Sequence, residues 1–277
     1  MMLMSLPMYA ISPPDVEAFA DILRQKLQDA GLNAVPDALS WPQDLLPHWQ
    51  ASDLLLSQTC GYPLVESLPQ VQLVGTFSYR APGCDGFRYR SFLLAREEYA
   101  SLHLAGFRQR RLAFNSTDSQ SGYNSLRALV APLAVDGRFF SQVTATGSHR
   151  GSLRYVQQNL ADLAAIDCVT LELLRRTEPQ ALEGLAVIGQ TAAVPGLPLI
   201  TSAKTSLEDL AVLRQALRET ADDPVSACLL IEEFTVVTRP AYSVISQMKD
   251  MALAFGVSEL TPLPQPEISG FQSGSLR

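Results

Sequence analysis

The residues best suited to binding chemistry form one polar run, Asn115–Asn124, which lies between an apolar, strand-like segment and apolar residues at helical spacing. The run is therefore predicted to begin a helix. The first turn of a helix leaves about four backbone N–H groups unpaired and carries partial positive charge. Ser119, Ser121 and Gly122 could accordingly donate hydrogen bonds to an oxyanion. The alternative is that these polar residues only cap their own helix.

Two further polar turns follow strand-like segments in the same way. One is Thr146–His149, which precedes apolar residues at helical spacing, and the other is Gln58–Pro63, which follows a Leu-rich segment. Another short apolar segment ends in a carboxylate, Asp167. In open parallel α/β sheets, the turns at the carboxyl ends of the strands border a common crevice. We therefore expect these turns to meet at one ligand-binding cleft.

The elements that must position these turns alternate between strands and helices, which predicts an α/β fold. We predict strands at Leu6–Ile11, Asn33–Leu39 and Val71–Tyr79. A helix is predicted to follow the first strand and to stop at Gly31, and another is predicted around Glu97–Gly106.

The composition is that of an ordinary globular protein. The 277 residues are 47% hydrophobic and 18% charged, which suits one large domain or two smaller lobes. The formal net charge of -7, with no basic cluster larger than Arg108–Arg111, argues against a nucleic-acid partner. Four scattered cysteines lack metal-ligand spacing, so we expect no disulfide, metal or cofactor. As written, the chain has no secretory leader and no membrane span, which predicts a cytoplasmic protein, or a periplasmic one if a leader was removed.

Four motifs occur in the order, and at about the spacings, found in the phosphate, phosphite and phosphonate-binding proteins of ABC importers. They are Leu54–Pro63, Asn115–Asn124, Thr146–His149 and Ala164–Asp167. From about Met8 to Pro198 the chain resembles that family or its leaderless relatives.

The resemblance implies a two-lobed periplasmic-binding-protein fold of type 2. Each lobe would be a mostly parallel sheet flanked by helices, and the chain would cross between the lobes twice. Turn clusters at Ala81–Gly86 and Val194–Pro198 agree with such crossovers. Residues 1–87 and 201–277 would form lobe I, residues 88–200 would form lobe II, and the ligand would lie in the cleft between them.

The resemblance also implies roles for single residues. Family members bind the phosphonate with a serine-rich turn and with a histidine after a Gly-Ser pair. Ser119, Gln120 and Ser121 match the serine-rich turn, and His149 matches the histidine. An acidic residue about one helix later holds the amine of an aminophosphonate, and Asp167 is the matching position. Protonated His149 would strengthen a bond to an oxyanion, so affinity should fall as pH rises through its pKa. The chain departs from the family at Gln120, where a hydroxyl residue is common.

Four residues of the first half complete the predicted site. Tyr9 and Tyr62 could stack on a ligand or enclose it, and Thr59 and Cys60 could present backbone donors to the cleft. Each has a simpler structural role as a core-edge aromatic or a helix cap. The same alternative applies to the histidine and the aspartate named above, each of which could cap a helix.

Ser121, His149 and Asp167 are also the residue types of a hydrolase triad, but no Gly-x-Ser-x-Gly elbow accompanies them. We therefore expect a binding protein rather than an enzyme. The expected function is the capture of a small phosphonate- or phosphate-like ligand for ABC-type uptake, with an ABC permease as partner and without nucleic-acid binding or membrane insertion. Two alternatives stay open: a cytoplasmic ligand sensor or scaffold of the same fold, and a metabolite-processing enzyme that resembles the thiamin-precursor proteins.

Overall fold

The computed structural model describes residues 2–32 and 34–260, which form two five-stranded sheets and a short two-stranded ribbon. The strands are β1 (Leu3–Ser5), β2 (Leu54–Gln58), β3 (Gln72–Tyr79), β4 (Arg88–Tyr89), β5 (Ser91–Arg96), β6 (Arg111–Phe114), β7 (Gln142–Ala145), β8 (Leu163–Asp167), β9 (Leu185–Gln190), β10 (Val194–Pro195), β11 (Pro198–Thr201) and β12 (Ile231–Thr235). The α-helices are α1 (Pro13–Asp29), α2 (Leu45–Trp49), α3 (Gly61–Glu66), α4 (Ser125–Val130), α5 (His149–Gln157), α6 (Cys168–Thr177), α7 (Leu207–Ala221) and α8 (Ser243–Ala254). A π-helical turn, Gln120–Asn124, leads directly into α4.

The first sheet has the strand order β1-β2-β11-β3-β12 and combines both ends of the chain. β1 and β2 are parallel, whereas β11 and β12 run antiparallel to their neighbours. All five residues of β2 are buried, and a strand covered on both faces tolerates the unbroken leucine run that the sequence has there.

The second sheet has the order β7-β6-β8-β5-β9. β6 is parallel to both β7 and β8, and β5 is antiparallel to both β8 and β9. The chain therefore leaves β6, β7 and β8 at the same edge of the sheet. This edge positions Asn115–Asn124, Thr146–His149 and Asp167, whereas Gln58–Pro63 lies at the end of β2 in the first sheet.

Two connections join the sheets, one between β3 and β5 and the other between β9 and β11. They run side by side as an antiparallel ribbon in which Val194 of β10 pairs with Tyr89 of β4. Strands of the first sheet come from residues 3–79 and 198–235, and those of the second come from residues 91–190. The predicted first lobe also includes residues 261–277, which lie outside the described residues.

The last helix, α8, packs against the hydrophobic cores of both halves. Ile245 and Met248 pack in the core around the first sheet, whereas Ala252 packs in the core around the second sheet. The Asn124 amide donates to the Ile245 carbonyl at 3.2 Å, and the Arg127 guanidinium donates to the Ser258 carbonyl at 2.7 Å. The serine-rich turn and α4 thus rest on the C-terminal part of the described chain.

Three predicted elements are wrong. The first strand is Leu3–Ser5, because Pro7 has no N–H for a sheet and residues 6–11 form an irregular loop. Residues 34–39 of the predicted strand Asn33–Leu39 form turns and bends. The predicted helix at Glu97–Gly106 is replaced by two 3₁₀ turns, Glu97–Tyr99 and Leu104–Phe107, of which only Phe107 is buried, so a longer helix would bury little apolar surface.

Other predicted elements are confirmed, including the helix that ends before Gly31 and the strand that ends at Tyr79. Among the helices of residues 2–32 and 34–260, none combines the length and apolar character needed to cross a bilayer.

Candidate functional site

A cavity of about 310 Å³ lies between the two sheets, where the chain leaves β1, β2, β6, β7 and β8. The first half contributes Pro7, Met8, Tyr9, Ala10, Ile11, Leu45, Trp49, Cys60, Pro63 and Leu197 to its lining. The connecting ribbon and the second half contribute Tyr89, Asn115, Ser116, Asp118, Ser119, Ser121, Gly147, Ser148, His149, Arg150, Asp167 and Thr170. The cavity therefore has a mainly apolar wall and a polar wall that face each other.

The serine-rich turn supplies the centre of the polar wall. Ser119 caps the π-helical turn, since its Oγ accepts the Gly122 N–H at 3.0 Å. Ser121 Oγ lies 3.0 Å from His149 Nε2. The Gln120 N–H donates to Cys60 Sγ at 3.1 Å, which is a direct contact between the two halves. π-Helical turns are rare and often occur at functional sites.

His149 links the serine-rich turn to the end of β8. Its Nε2 lies 3.0 Å from Ser121 Oγ and 3.2 Å from Asp167 Oδ2. Only 12% of the His149 side chain is exposed, and burial lowers its pKa below the ordinary value, although the negative charge of Asp167 opposes that shift. Burial therefore favours the neutral form of the unliganded ring.

Asp167 has two tasks. Its Oδ1 accepts the N–H groups of Val169 at 3.1 Å and Thr170 at 2.8 Å, so it caps α6. Its Oδ2 faces His149 at the cavity. The capping alternative and a position at the cavity are thus compatible.

Two helices of the second half begin at the polar wall. Ser148 caps α5 by accepting the Gly151 N–H at 3.0 Å, and α6 begins directly after its aspartate cap. The continuous helical segment formed by the π-helical turn and α4 begins at the same wall. Three positive dipole ends therefore border the cavity, an arrangement that favours a negatively charged group.

Three buried polar atoms at the cavity have no hydrogen-bond partner within residues 2–32 and 34–260. They are the Tyr89 hydroxyl, Asn115 Oδ1 and His149 Nδ1. Buried polar atoms are nearly always paired, so each such exception calls for an explanation. A ligand or water that reached these atoms from the cavity would supply the missing partners.

The charged side chains of the lining do not form a cationic pocket. Asp118 and Asp167 are acidic, and the one cation of the lining, Arg150, is exposed and bonded to Glu178. An anion in the cavity would therefore rely on backbone N–H groups, hydroxyls and the histidine. Within the described chain, His, Cys, Asp and Glu side chains form no cluster that could hold a metal ion.

Six of the ten predicted site residues line this cavity: Tyr9, Cys60, Ser119, Ser121, His149 and Asp167. Gly122 lies just behind the wall, where an added Cβ would be 2.1 Å from Asn115 Oδ1. Thr59 is fully buried, and its N–H donates to the Pro198 carbonyl at 2.9 Å. Tyr62 packs against the core of the first half and does not border the cavity.

The side chain of Gln120 also points away from the cavity, because its amide is bonded within the turn and to α4. Its amide nitrogen donates to Ser125 Oγ at 2.8 Å and lies 3.4 Å from Met248 Sδ, and its Oε1 accepts from the Asn124 amide at 2.8 Å. The amide thus organises the start of α4. The roles of all ten residues in ligand binding stay predictions.

Sequence reasoning did not single out most of the apolar wall. Met8, Ile11, Leu45 and Trp49 come from irregular segments or from the short helix α2, where no periodic pattern marks them. Asn115 and Ser148 lay inside the quoted motifs and could have been named there. Tyr89 carries no local signal, because it enters the cavity only through the ribbon that joins the two sheets.

Comparisons with known proteins agree on one family and one fold. The family model described as "ABC transporter, phosphonate, periplasmic substrate-binding protein" matches residues 50–239, which is more than half of the chain. A search of curated proteins found no match.

Several solved structures share the fold, all at low sequence identity. A binding-protein component of an ABC phosphonate transporter from Pseudomonas aeruginosa has a TM-score of 0.75 at 18% identity, over 93% of this chain and 88% of that one. PhnD1 from Prochlorococcus marinus, in complex with methylphosphonate, has a TM-score of 0.72 at 12% identity, over 90% and 97%. XAC2383 from Xanthomonas citri, bound to ATP, has a TM-score of 0.67 at 14% identity, over 92% and 98%.

These likenesses confirm the predicted two-lobed α/β fold of the type 2 periplasmic binding proteins. Together with the match over residues 50–239, they lead to one conclusion: the chain belongs to the family of periplasmic substrate-binding proteins of phosphonate ABC transporters.

Proposed function

We propose that this protein captures a small solute with a tetrahedral oxyanion, of the phosphonate or phosphate type, and presents it to an ABC permease. The observation that carries the proposal is the convergence of three capped helix starts on one wall of a single cavity. Helix starts of this kind bind phosphate-like groups through backbone N–H donors and the positive end of the dipole. The family of the chain supports the same function.

In the proposed complex, the oxyanion lies against Ser119, Ser121 and His149. The serine hydroxyls donate, and the histidine contributes a charge-assisted bond once the anion has favoured its protonated form. Asp167 Oδ2, which lies 3.2 Å from His149 Nε2 without a ligand, then stabilises the positive charge of the protonated ring. An ammonium group on the ligand would have to compete with the histidine for that oxygen.

The opposite wall favours an apolar substituent on the ligand. Met8, Ile11, Leu45 and Trp49 line that side. An apolar group that leaves water for this wall would gain about 25 cal/mol per Å² of buried surface. We therefore expect alkyl- or arylphosphonates to bind more tightly than inorganic phosphate or 2-aminoethylphosphonate. The methylphosphonate in the P. marinus relative is in line with this expectation, and the ATP in the X. citri relative suggests a nucleotide as a second ligand to test.

Hydrolase chemistry is disfavoured by the geometry of the histidine. In a Ser-His-Asp triad the serine and the aspartate address different ring nitrogens, so that one nitrogen accepts a proton while the other donates. Here Ser121 and Asp167 both lie at Nε2 of His149. A single nitrogen cannot perform both tasks at once, so binding without turnover is the expected activity.

A cytoplasmic sensor or scaffold of the same fold is the main competing function. Transport requires the protein to meet its ligand outside the inner membrane, whereas a sensor works inside the cell. Fractionation of cells that express the native gene product, combined with affinity purification, separates the two. Recovery of the protein from the periplasmic fraction, with a permease co-purified from detergent-solubilised membranes, supports transport, whereas recovery from the cytosol with other partners supports the sensor.

A ligand screen tests the binding function itself. Thermal unfolding is measured with phenylphosphonate, methylphosphonate, 2-aminoethylphosphonate, phosphate, benzenesulfonate and ATP, and any stabilising ligand is then titrated calorimetrically. A ligand at 100 times its dissociation constant adds about 2.7 kcal/mol to the free energy of unfolding. The proposal predicts such a shift for at least one phosphonate, and the absence of any shift at millimolar concentrations would overturn it.

A further inference from the structure

Two cysteines that are distant in sequence lie side by side where the halves meet. Cys84 and Cys168 are 84 positions apart, yet their sulfur atoms are 3.4 Å apart. Cys84 lies in the turn that follows β3 of the first sheet, and Cys168 is the first residue of α6, which follows the second sheet. Neither thiol has a role in the proposed ligand site.

One residue holds both sides of this pair in place. The Arg90 guanidinium donates to the Gly83 carbonyl at 3.1 Å, and the Arg90 carbonyl accepts the Cys168 N–H at 2.9 Å. Gly83 has a φ of +99°, and an added Cβ there would lie 3.0 Å from the Cys168 Cβ. The close approach of the turn to the helix therefore requires glycine beside Cys84.

The two thiols are chemically unequal. The hydrogen bond between the two thiols lowers the pKa of Cys84, while the same contact and burial raise the pKa of Cys168. Cys84 is partly exposed, whereas Cys168 is only 1% exposed. A partly exposed thiol with a lowered pKa next to a second thiol is the arrangement that redox-sensitive proteins use.

We propose that Cys84 and Cys168 are a reversible oxidation site that closes to a disulfide between the two halves of the protein. With hydrogen peroxide as oxidant, the Cys84 thiolate attacks one peroxide oxygen and becomes a sulfenic acid, and the leaving hydroxide takes a proton to form water. The Cys168 sulfur then attacks the sulfenic sulfur. The S–S bond forms, the S–O bond breaks, and the Cys168 proton leaves with the hydroxyl group as a second water.

The bond requires little movement. The sulfurs must approach from 3.4 Å to about 2.05 Å, a distance that side-chain rotation and a small shift of the turn can supply. The product would fix the start of α6, and hence the adjacent Asp167, to the turn after β3. The bond itself does not depend on the proposed ligand.

The test uses a full-length Cys228→Ser variant, because Cys228 is exposed and would link molecules to one another. Three thiols remain in this variant, Cys60, Cys84 and Cys168. After mild peroxide treatment we expect one titratable thiol, a mass lower by two hydrogen atoms, and a peptide in which Cys84 is linked to Cys168. We also expect a higher Tm, and dithiothreitol should reverse all four changes.

Two further variants, each lacking one cysteine of the pair, serve as controls. Adding Cys84→Ser or Cys168→Ser should abolish the mass loss and the Tm shift. If all three thiols persist after treatment in folded protein, or if the linked peptide contains Cys60, the proposal is overturned. Irreversible oxidation of Cys84 without a link to Cys168 would overturn it as well.

Discussion

Replacement of His149 by alanine tests the polar wall at its central side chain. His149 Nε2 lies 3.0 Å from Ser121 Oγ and 3.2 Å from Asp167 Oδ2, so the ring stands between the serine-rich turn and the end of β8. A hydrogen bond from a charged group contributes about 1.5–3 kcal/mol, and about 1.4 kcal/mol corresponds to a tenfold change in affinity. Affinity for a phosphonate should therefore fall roughly 10- to 150-fold.

The stability of the variant should change much less than its affinity. The aspartate retains its two backbone bonds at the start of α6, so His149→Ala should cost about 1 kcal/mol of unfolding free energy. Calorimetric titration measures the affinity, and chemical unfolding measures the stability. The control is His103→Ala, which removes an exposed histidine outside the lining and should change neither quantity. Equal affinities of parent and His149→Ala would refute the reasoning.

The same ring sets a pH dependence. Burial lowers the pKa of His149 in the folded protein below the unfolded value of about 6.5, so the unfolded chain binds more protons. The free energy of unfolding therefore falls as pH drops from about 6.5 through the lowered pKa. A bound anion raises that pKa, so affinity falls as pH rises through the pKa of the complex. Benzenesulfonate is a suitable probe because its charge is constant over this range, and His149→Ala should remove the slope.

Three other changes give separate tests. Gly122→Ala places a Cβ 2.1 Å from Asn115 Oδ1, so the polar wall must shift and calorimetric affinity should fall at least tenfold, while Tm changes little. Met8→Ala removes apolar surface worth about 1–2 kcal/mol, so titrations should show a 5- to 30-fold loss for phenylphosphonate and none for phosphate. Asp162→Asn should cost about 2–4 kcal/mol in urea unfolding at pH 7, because it breaks a buried ion pair with two arginines.

Each of these tests has a matched control or a contradicting result. Gly106→Ala adds a methyl group in ordinary contact distance outside the lining and should leave affinity unchanged. Equal losses for phosphate and phenylphosphonate in the methionine variant would contradict the apolar wall. Arg111 and Arg96 hold the pKa of Asp162 well below its usual range. The parent protein should therefore be more stable than Asp162→Asn above about pH 4, and this difference in unfolding free energy should be lost as pH falls through the lowered pKa. Glu98→Gln is the control, because Glu98 is exposed and pairs with Arg96, so its loss should change stability little.

The polar wall was accessible to sequence reasoning because its signals are local. A run of small polar residues after an apolar strand predicts a helix start, and parallel strands bring such starts to one edge of a sheet. Ser119, Ser121, His149 and Asp167 all follow this rule, and all four border the cavity. The two-lobed fold could be predicted because four motifs, in order along the chain, carry the resemblance to a family of that fold.

The apolar wall and the thiol pair could not be predicted in this way. The loop around Met8 and the helix that contains Trp49 have no periodic pattern, and their positions depend on how the halves pack. Cys84 and Cys168 meet because β5 pairs with β8, with Ser91 opposite Asp167, which brings the start of α6 beside the turn after β3. The family resemblance implies a ligand role for Gln120, but the π-helical turn directs its amide to Ser125.

A crystal structure with bound phenylphosphonate tests the central claim most directly. The account predicts the phosphonate oxygens within hydrogen-bond distance of Ser121 Oγ and His149 Nε2, and the phenyl ring against Met8 and Trp49. A ligand bound outside this cavity, or one whose phosphonate faces the apolar wall, would contradict it.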